Sequence, residues 1–83
     1  MTQWVLYSGK GKLLVGKLIS PGVRTFATVD RTGAPERVNR VFVHGLFPLE
    51  DAAFRARDAA DAEHDPMSAK SAIKAVEGWH PLP

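Results

Sequence analysis

The sequence contains no cysteine. Disulfide bonds, thiolate metal sites and thiol chemistry are therefore excluded, so the fold depends on packing and hydrogen bonds alone. A chain without cysteine fits the reducing environment inside a cell, and we expect a cytoplasmic protein.

Long apolar segments are also missing. No stretch approaches the ~20 apolar residues that a membrane helix needs, and residues 1–4 lack the basic start of a signal peptide. We therefore expect a soluble protein with no membrane partner. The hydrophobic fraction of 45% and the charged fraction of 24% are typical of a globular chain. At 83 residues the chain is expected to form a single domain, 1–83, with a thin core.

Residues 1–47 have the pattern of β-strands separated by turns. Strands are predicted at 3–8, 13–20, 23–30 and 36–44, because these runs are rich in aliphatic and aromatic residues and are bounded by glycine or proline. Loops this short predict an antiparallel meander, since a parallel crossover needs a dozen or more residues. The four strands would form either an open sheet covered by helices or a curled, SH3-like barrel. Apolar residues on both faces favour a sheet that is covered at least partly on both sides.

Residues 48–83 change to a helical period. Pro48 is expected at the first helical position, followed by an alanine-rich stripe that lets a helix lie close to a sheet. Asp65 is predicted to cap a second helix that begins at Pro66 and ends at Gly78. An extended C-terminal tail follows. The predicted fold class is α+β, a four-stranded antiparallel meander with two short helices packed on it.

Charge is divided unevenly along the chain. Residues 1–49 hold seven basic residues against two acidic ones, a net charge of +5, whereas residues 50–83 hold four against seven, a net charge of −3. A bipolar surface of this kind orients a partner more than it tightens binding.

The sequence contains only weak matches to catalytic, phosphate-binding or metal-binding motifs. The Gly-x-Gly of residues 9–11 precedes a strand instead of a helix, so a hairpin turn with a basic tip is favoured over a phosphate-binding loop. The three histidines, His44, His64 and His80, lack the spacing of a metal site. The acidic residues of 58–65 lack the order of a calcium loop and are interpreted as a solvated face. We predict no catalytic residue, no metal and no cofactor, and expect a protein that is not an enzyme.

The strongest indication of a binding surface comes from the basic and aromatic residues of the β half, residues 1–47. A tight turn at Pro21–Gly22 would pair Lys17 with Phe26, and would bring Arg24 to the same face. Arg40 beside Phe42 could extend this face, and cations interleaved with aromatic rings are typical of single-stranded nucleic acid binders. The alternative, which we favour for the rings, is that Phe26 and Phe42 belong to the core and the cations surround it.

The tail offers one further candidate. We expect Trp79 to fold back and fill the core. The alternative is that its ring is exposed and serves as an aromatic anchor for a partner. Together, the predicted binding residues are Lys10, Lys12, Lys17, Arg24, Arg37, Arg40 and Trp79.

Two functions follow from these patterns. The first is a stoichiometric interaction protein that occludes a surface of a larger protein or nucleoprotein complex, in the manner of a phage-type inhibitor of a host defence system (anti-CRISPR-like). The alternative is a small basic protein that binds DNA or RNA through its β half. A monomer or a homodimer fits either function, because a thin core often leaves an open sheet edge to cover.

Overall fold

A computed structural model describes residues 2–19, 27–30 and 33–82 of the chain. These residues form an antiparallel sheet and two helices, which confirms the α+β class. The strands are β1 (Gln3–Gly9), β2 (Lys12–Leu18), β3 (Ala27–Val29), β4 (Pro35–Arg37) and β5 (Phe42–Phe47), and the helices are α1 (Glu50–Asp61) and α2 (Pro66–Lys74). A single 3-10 turn, Val38–Arg40, separates β4 from β5.

The five strands lie in the order β4-β3-β2-β1-β5, and every pairing is antiparallel. The β1–β2 hairpin is closed by the pair Gly9 and Lys12. Lys10 and Gly11 form its tip with positive φ angles of 55° and 76°. Two residues with positive φ match the right-handed twist of the strands that they connect. The predicted hairpin is therefore confirmed, with a loop of two residues.

The predicted continuous strand over 36–44 is wrong. The chain leaves β4 at one edge of the sheet, turns once through the 3-10 helix, and enters β5 at the opposite edge, where Phe47 pairs with Trp4. Val38 is 4% exposed, so burial of its side chain favours the turn over a continued strand. The sheet thus has five strands instead of four, and because the described strands form a row with two edges, a curled, SH3-like form is not confirmed.

The strand register that a tight turn at Pro21–Gly22 would set is also wrong, and the turn itself lies outside the described residues. Leu18 pairs with Thr28, whereas the turn would have placed Val15 there. The amide of Ile19 donates to the carbonyl oxygen of Ala27 at 2.9 Å, which continues the observed register. Thr28 is buried and its hydroxyl donates to the carbonyl oxygen of Glu36, which satisfies a polar group inside the sheet. The predicted positions of Arg24 and Phe26 lie outside the described residues.

Both faces of the sheet are covered. Alternation along β1 sends Leu6 to one face and Val5 and Tyr7 to the other. The helix-side cluster combines Leu6, Val15, Phe47, Ala52, Ala53, Ala56, Ala60 and Ile73. Its alanines lie on α1, where small side chains bring the helix backbone close to the strands. On the far face, Leu14 and Leu82 pack against the smaller cluster of Val5, Tyr7 and Leu46. The predicted two-sided cover is confirmed.

The helix boundaries follow their capping residues. Asp65 accepts a hydrogen bond from the amide of Ser68 at 3.0 Å, which confirms the predicted cap of α2. By contrast, α1 begins at Glu50 with Leu49 as its cap, two residues after the predicted start at Pro48. The other end of α2 is Lys74, earlier than the predicted end at Gly78. None of the helices in the described ranges is long and apolar enough to cross a membrane.

The tail after α2 crosses the edge of β5. Trp79 packs on the helix side, and His80 then exchanges two backbone hydrogen bonds with Leu46, at 2.8 and 2.9 Å. Leu82 reaches the cluster on the far face. Gly78 makes this path possible because its φ of 93° is in the region that favours glycine.

Candidate functional site

A cleft of about 200 Å³ lies between β5 and α2. We call it the basic cleft, and define it by its lining residues Phe42, Val43, His44, Lys70, Ile73 and Lys74. It combines one exposed aromatic ring, one imidazole and two ammonium groups. Aromatic and cationic side chains thus line the same cleft.

The spacing of residues on α2 produces one wall of the cleft. Lys70, Ile73 and Lys74 are three and four positions apart, so they share one face of the helix. Ile73 is 2% exposed and anchors this face in the helix-side cluster. Lys70 and Lys74 remain exposed at the rim. A buried anchor between two long cationic side chains therefore holds both charges above the same strand.

Phe42 forms part of the opposite wall. Its side chain is 59% exposed, so the prediction that this ring belongs to the core is wrong. Phe42 lies at the start of β5 and pairs with Ser8. On the α2 side of the cleft, lysines are present instead of an apolar layer that would cover the ring. The ring lies 4.9 Å from the His44 ring, centroid to centroid, with the planes tilted by 56°. An exposed phenyl ring supported by a second ring is suited to stacking with a flat ligand.

His44 occupies the irregular position of β5. The register between β1 and β5 shifts between Leu6 and Tyr7, which face Gly45 and Val43, and His44 is the extra residue of this bulge. Its Nε2 lies 2.6 Å from the hydroxyl oxygen of Ser8. Burial lowers the pKa of His44 from the usual 6.5, and the positive charge of Lys70 lowers it further. The imidazole is therefore neutral at physiological pH.

A neutral imidazole bonded to a serine hydroxyl resembles the first two members of a nucleophilic triad. The third member would be a group that orients the imidazole through Nδ1. Among the described residues no partner of Nδ1 is present. The pair of Ser8 and His44 therefore does not complete that machinery within the described ranges, and its hydroxyl oxygen and ring nitrogen serve as polar groups of the cleft.

Trp79 contacts two residues of the cleft lining, His44 and Lys74. Its indole Nε1 donates to the carbonyl oxygen of His44 at 3.0 Å, and the Lys74 ammonium lies 5.6 Å from its ring centroid. The ring fits above Gly45, where an added Cβ would overlap Nε1 and lie 2.5 Å from Cδ1. Trp79 is half-buried against the helix-side cluster, which confirms the interpretation that it folds back. A direct contact between Trp79 and a partner stays a prediction.

The predicted cationic residues occupy several surfaces. Lys10 and Lys12 are exposed on the hairpin that extends from Ser8, beyond the same end of the sheet as Phe42. Arg40 is exposed on the 3-10 turn just before β5, and it shares with Lys10 an open depression on the far face. That depression also contains Asp30 and Glu36, so its charge is mixed.

The remaining predicted cations lie elsewhere. Lys17 is exposed on the helix side of β2, in a second cleft with Trp4, Glu50 and Phe54. Arg37 is exposed on β4, at the other edge of the sheet. Arg24 falls outside the described residues. The predicted basic face that included Lys17 therefore does not form with the predicted register, while Lys10 and Lys12 lie beyond the end of the sheet where Phe42 pairs with Ser8.

Sequence reasoning missed most of the basic cleft. The spacing of Lys70, Ile73 and Lys74 was a readable signal of a helix face with an apolar centre and cationic flanks. What no local pattern could show is that this face meets Phe42 and His44, because the contact depends on how α2 packs across the sheet.

Within the described ranges, no group of three or more histidine, aspartate or glutamate side chains is arranged to hold a metal ion. The basic cleft offers cations and a ring, which suit an anionic, aromatic ligand. The chain matches no protein-family model, no curated protein and no solved structure.

Proposed function

We propose that the protein is a stoichiometric, non-enzymatic binding protein for single-stranded nucleic acid, and that the basic cleft is its contact site. The observation that carries this proposal is the 59% exposed ring of Phe42 in one cleft with the ammonium groups of Lys70 and Lys74. Small domains bury large apolar residues where they can, so a phenyl ring left at a rim between cations favours a binding role.

The chemistry of single-stranded nucleic acid fits this arrangement. A base stacked on an aromatic side chain contributes roughly 1–3 kcal/mol and does so for any sequence. Lysines neutralise the phosphates and release condensed counterions, which makes binding depend steeply on salt. Lys10 and Lys12, on the hairpin beyond the same end of the sheet as Phe42, would continue the positive track beyond the cleft.

Fluorescence anisotropy with a labelled single-stranded oligonucleotide of about ten residues tests the proposal, at roughly 50 and 200 mM salt. We expect binding that weakens by orders of magnitude over this range. Phe42→Ala should reduce affinity by about tenfold or more through lost stacking. Lys70→Gln and Lys74→Gln should each reduce both the affinity and the salt slope.

The matched control for the lysine variants is Lys17→Gln. It removes the same charge from an exposed side chain that lies in a different cleft. We expect it to change affinity much less than Lys70→Gln. Equal losses from the two variants would mean that net charge, and not the basic cleft, determines binding. Tight binding that survives Phe42→Ala together with Lys70→Gln would place the contact elsewhere and contradict the proposal.

A second candidate is occlusion of a protein surface, including that of a host defence complex targeted by a phage-type inhibitor. Two exposed apolar side chains favour it: Met67 is 75% exposed and Leu49 is 63% exposed. Exposed apolar anchors of this size contribute to protein interfaces more than to phosphate binding. This candidate predicts no oligonucleotide binding at either salt concentration. It also predicts that Met67→Ser or Leu49→Ser weakens capture of a protein partner, while Phe42→Ala does not.

Two finer features complete the proposal. The first is a sheet curled in the manner of a small SH3-like barrel, supported by the single 3-10 turn that carries the chain from the β4 edge to the β5 edge. Such a curl would bring the cations of the hairpin and the 3-10 turn closer together. The second is a location in the cytoplasm, where both nucleic acid and nucleoprotein partners are present.

A further inference from the structure

We infer that the basic cleft binds a phosphate group together with one proton, and that His44 is the residue that takes up this proton. The inference rests on the proposed function, because it assigns a phosphate ligand to the same cleft. It adds that affinity depends on pH through one named side chain.

The position of His44 leaves one ring nitrogen for a ligand. Nε2 is engaged with the Ser8 hydroxyl at 2.6 Å, and the backbone carbonyl of His44 accepts from the indole of Trp79. The Ser8 contact and the Phe42 ring orient the imidazole at the cleft wall, and the Trp79 bond holds the backbone that carries it. Nδ1 has no partner among the described residues. A doubly protonated imidazole could then donate from Nε2 to Ser8, which accepts after its hydroxyl rotates, and from Nδ1 to a phosphate oxygen.

The charges around His44 explain why the proton arrives only with the ligand. Lys70 and Lys74 on α2 share the cleft with it, Ser8 faces it from β1, and Trp79 of the tail bonds to its backbone. In the free protein, burial and then Lys70 lower the pKa of His44. A phosphate between the lysines and the ring replaces this repulsion with attraction, so the bound state favours the protonated imidazole. By linkage, lower pH must then strengthen binding.

The test is an NMR titration of the histidine side chains between about pH 5 and pH 8, with and without the oligonucleotide of about ten residues. Phosphodiesters do not titrate in this range, so the probe adds no proton equilibrium of its own. We expect the pKa of His44 to rise on binding. The exposed residues His64 and His80 lie outside the cleft lining and serve as internal references, whose ring signals at a fixed pH should not move when the oligonucleotide is added.

Affinity measured over the same range gives the second readout. It should increase as the pH falls, by at most roughly tenfold per pH unit, which is the limit for one proton. His44→Gln should lose the pH dependence, so that its affinity no longer increases between pH 8 and pH 5. In the free protein, Lys70→Gln should raise the pKa of His44, because the charge that lowers it is gone.

The outcomes separate this inference from the proposed function. Oligonucleotide binding with the same pKa of His44 in the free and bound states overturns the inference and leaves the proposed function intact. Retention of the full pH dependence in His44→Gln has the same meaning. Absence of binding at every pH overturns both.

Discussion

Replacing Gly45 by alanine should destabilise the protein far more than a single methyl group normally does. Gly45 lies in β5 directly beneath the indole ring of Trp79, and its added Cβ would overlap Nε1 and lie 2.5 Å from Cδ1. Trp79 is packed against the helix-side cluster and tied to the His44 carbonyl, so the ring cannot swing away freely.

The magnitude follows from two losses. Forcing an extra carbon into a packed site costs about 1–3 kcal/mol. Displacing the indole also breaks its 3.0 Å hydrogen bond to the His44 carbonyl, which is worth about 1 kcal/mol. We therefore expect a decrease of roughly 2–4 kcal/mol in the free energy of unfolding, and since a domain of this size loses about 4–8 °C per kcal/mol, a decrease in Tm of at least roughly 8 °C.

Urea denaturation of a four-variant cycle measures this effect. The variants are the natural chain, Gly45→Ala, Trp79→Val and the double variant. Valine at position 79 lacks the ring atoms that the new Cβ would meet, so Gly45→Ala should cost little in that background. Equal costs in the two backgrounds would refute the clash with Trp79 as the cause. If Trp79→Val does not fold, the indole N–H resonances decide: in Gly45→Ala that of Trp79 should move while that of Trp4 stays.

Three further predictions concern the cap, the sheet interior and acid sensitivity. Asp65→Ala should lower the free energy of unfolding by about 1 kcal/mol in thermal denaturation, because the amide of Ser68 loses its capping acceptor, while Asp65→Asn should retain most of it. Thr28→Val should cost about 1 kcal/mol in urea denaturation, since a buried residue loses its hydroxyl bond to the Glu36 carbonyl; an unchanged midpoint would show that this bond contributes nothing. Because the pKa of His44 in the folded chain lies below the usual 6.5, its contribution to stability is present above pH 6.5 and is lost as the pH falls toward the folded pKa. The decrease in Tm between about pH 7 and pH 5 should therefore be smaller in His44→Gln.

The elements that the sequence predicted correctly are those with local causes. Asp65 followed by Pro66 caps and starts α2 through contacts within one helical turn. The tip of the two-residue hairpin needs positive φ angles, and the glycine at position 11 adopts one without strain. Apolar residues on both faces of the predicted strand 13–20 indicated cover on two sides, and its neighbours Leu13 and Leu14 do pack against different clusters. Each of these signals is readable within a few residues.

The features that the sequence did not predict depend on distant contacts. Residues 36–44 have a strand-like composition, and only the burial of Val38 and the free edge of β1 explain why the chain turns there and crosses to the other edge. The candidate site also depends on contacts between residues that are far apart in the sequence. The Ser8–His44 bond joins residues 36 positions apart, and the Trp79–His44 bond joins residues 35 apart. No pattern confined to a single helix or strand contains that information.

The path of the tail around β5 has a consequence for how the protein opens. Trp79 belongs to the helix-side cluster, Leu82 belongs to the far cluster, and His80 between them pairs with the outer side of Leu46. Detaching the tail would remove a side chain from each cluster and leave unpaired backbone groups on an edge strand, which is a template for pairing with another chain. The two clusters are thus coupled into one cooperative unit. Backbone amide hydrogens of the strands that carry these clusters should then exchange with solvent through the same opening event. At Leu46, this short segment occupies backbone groups of the β5 edge that another chain would otherwise pair with.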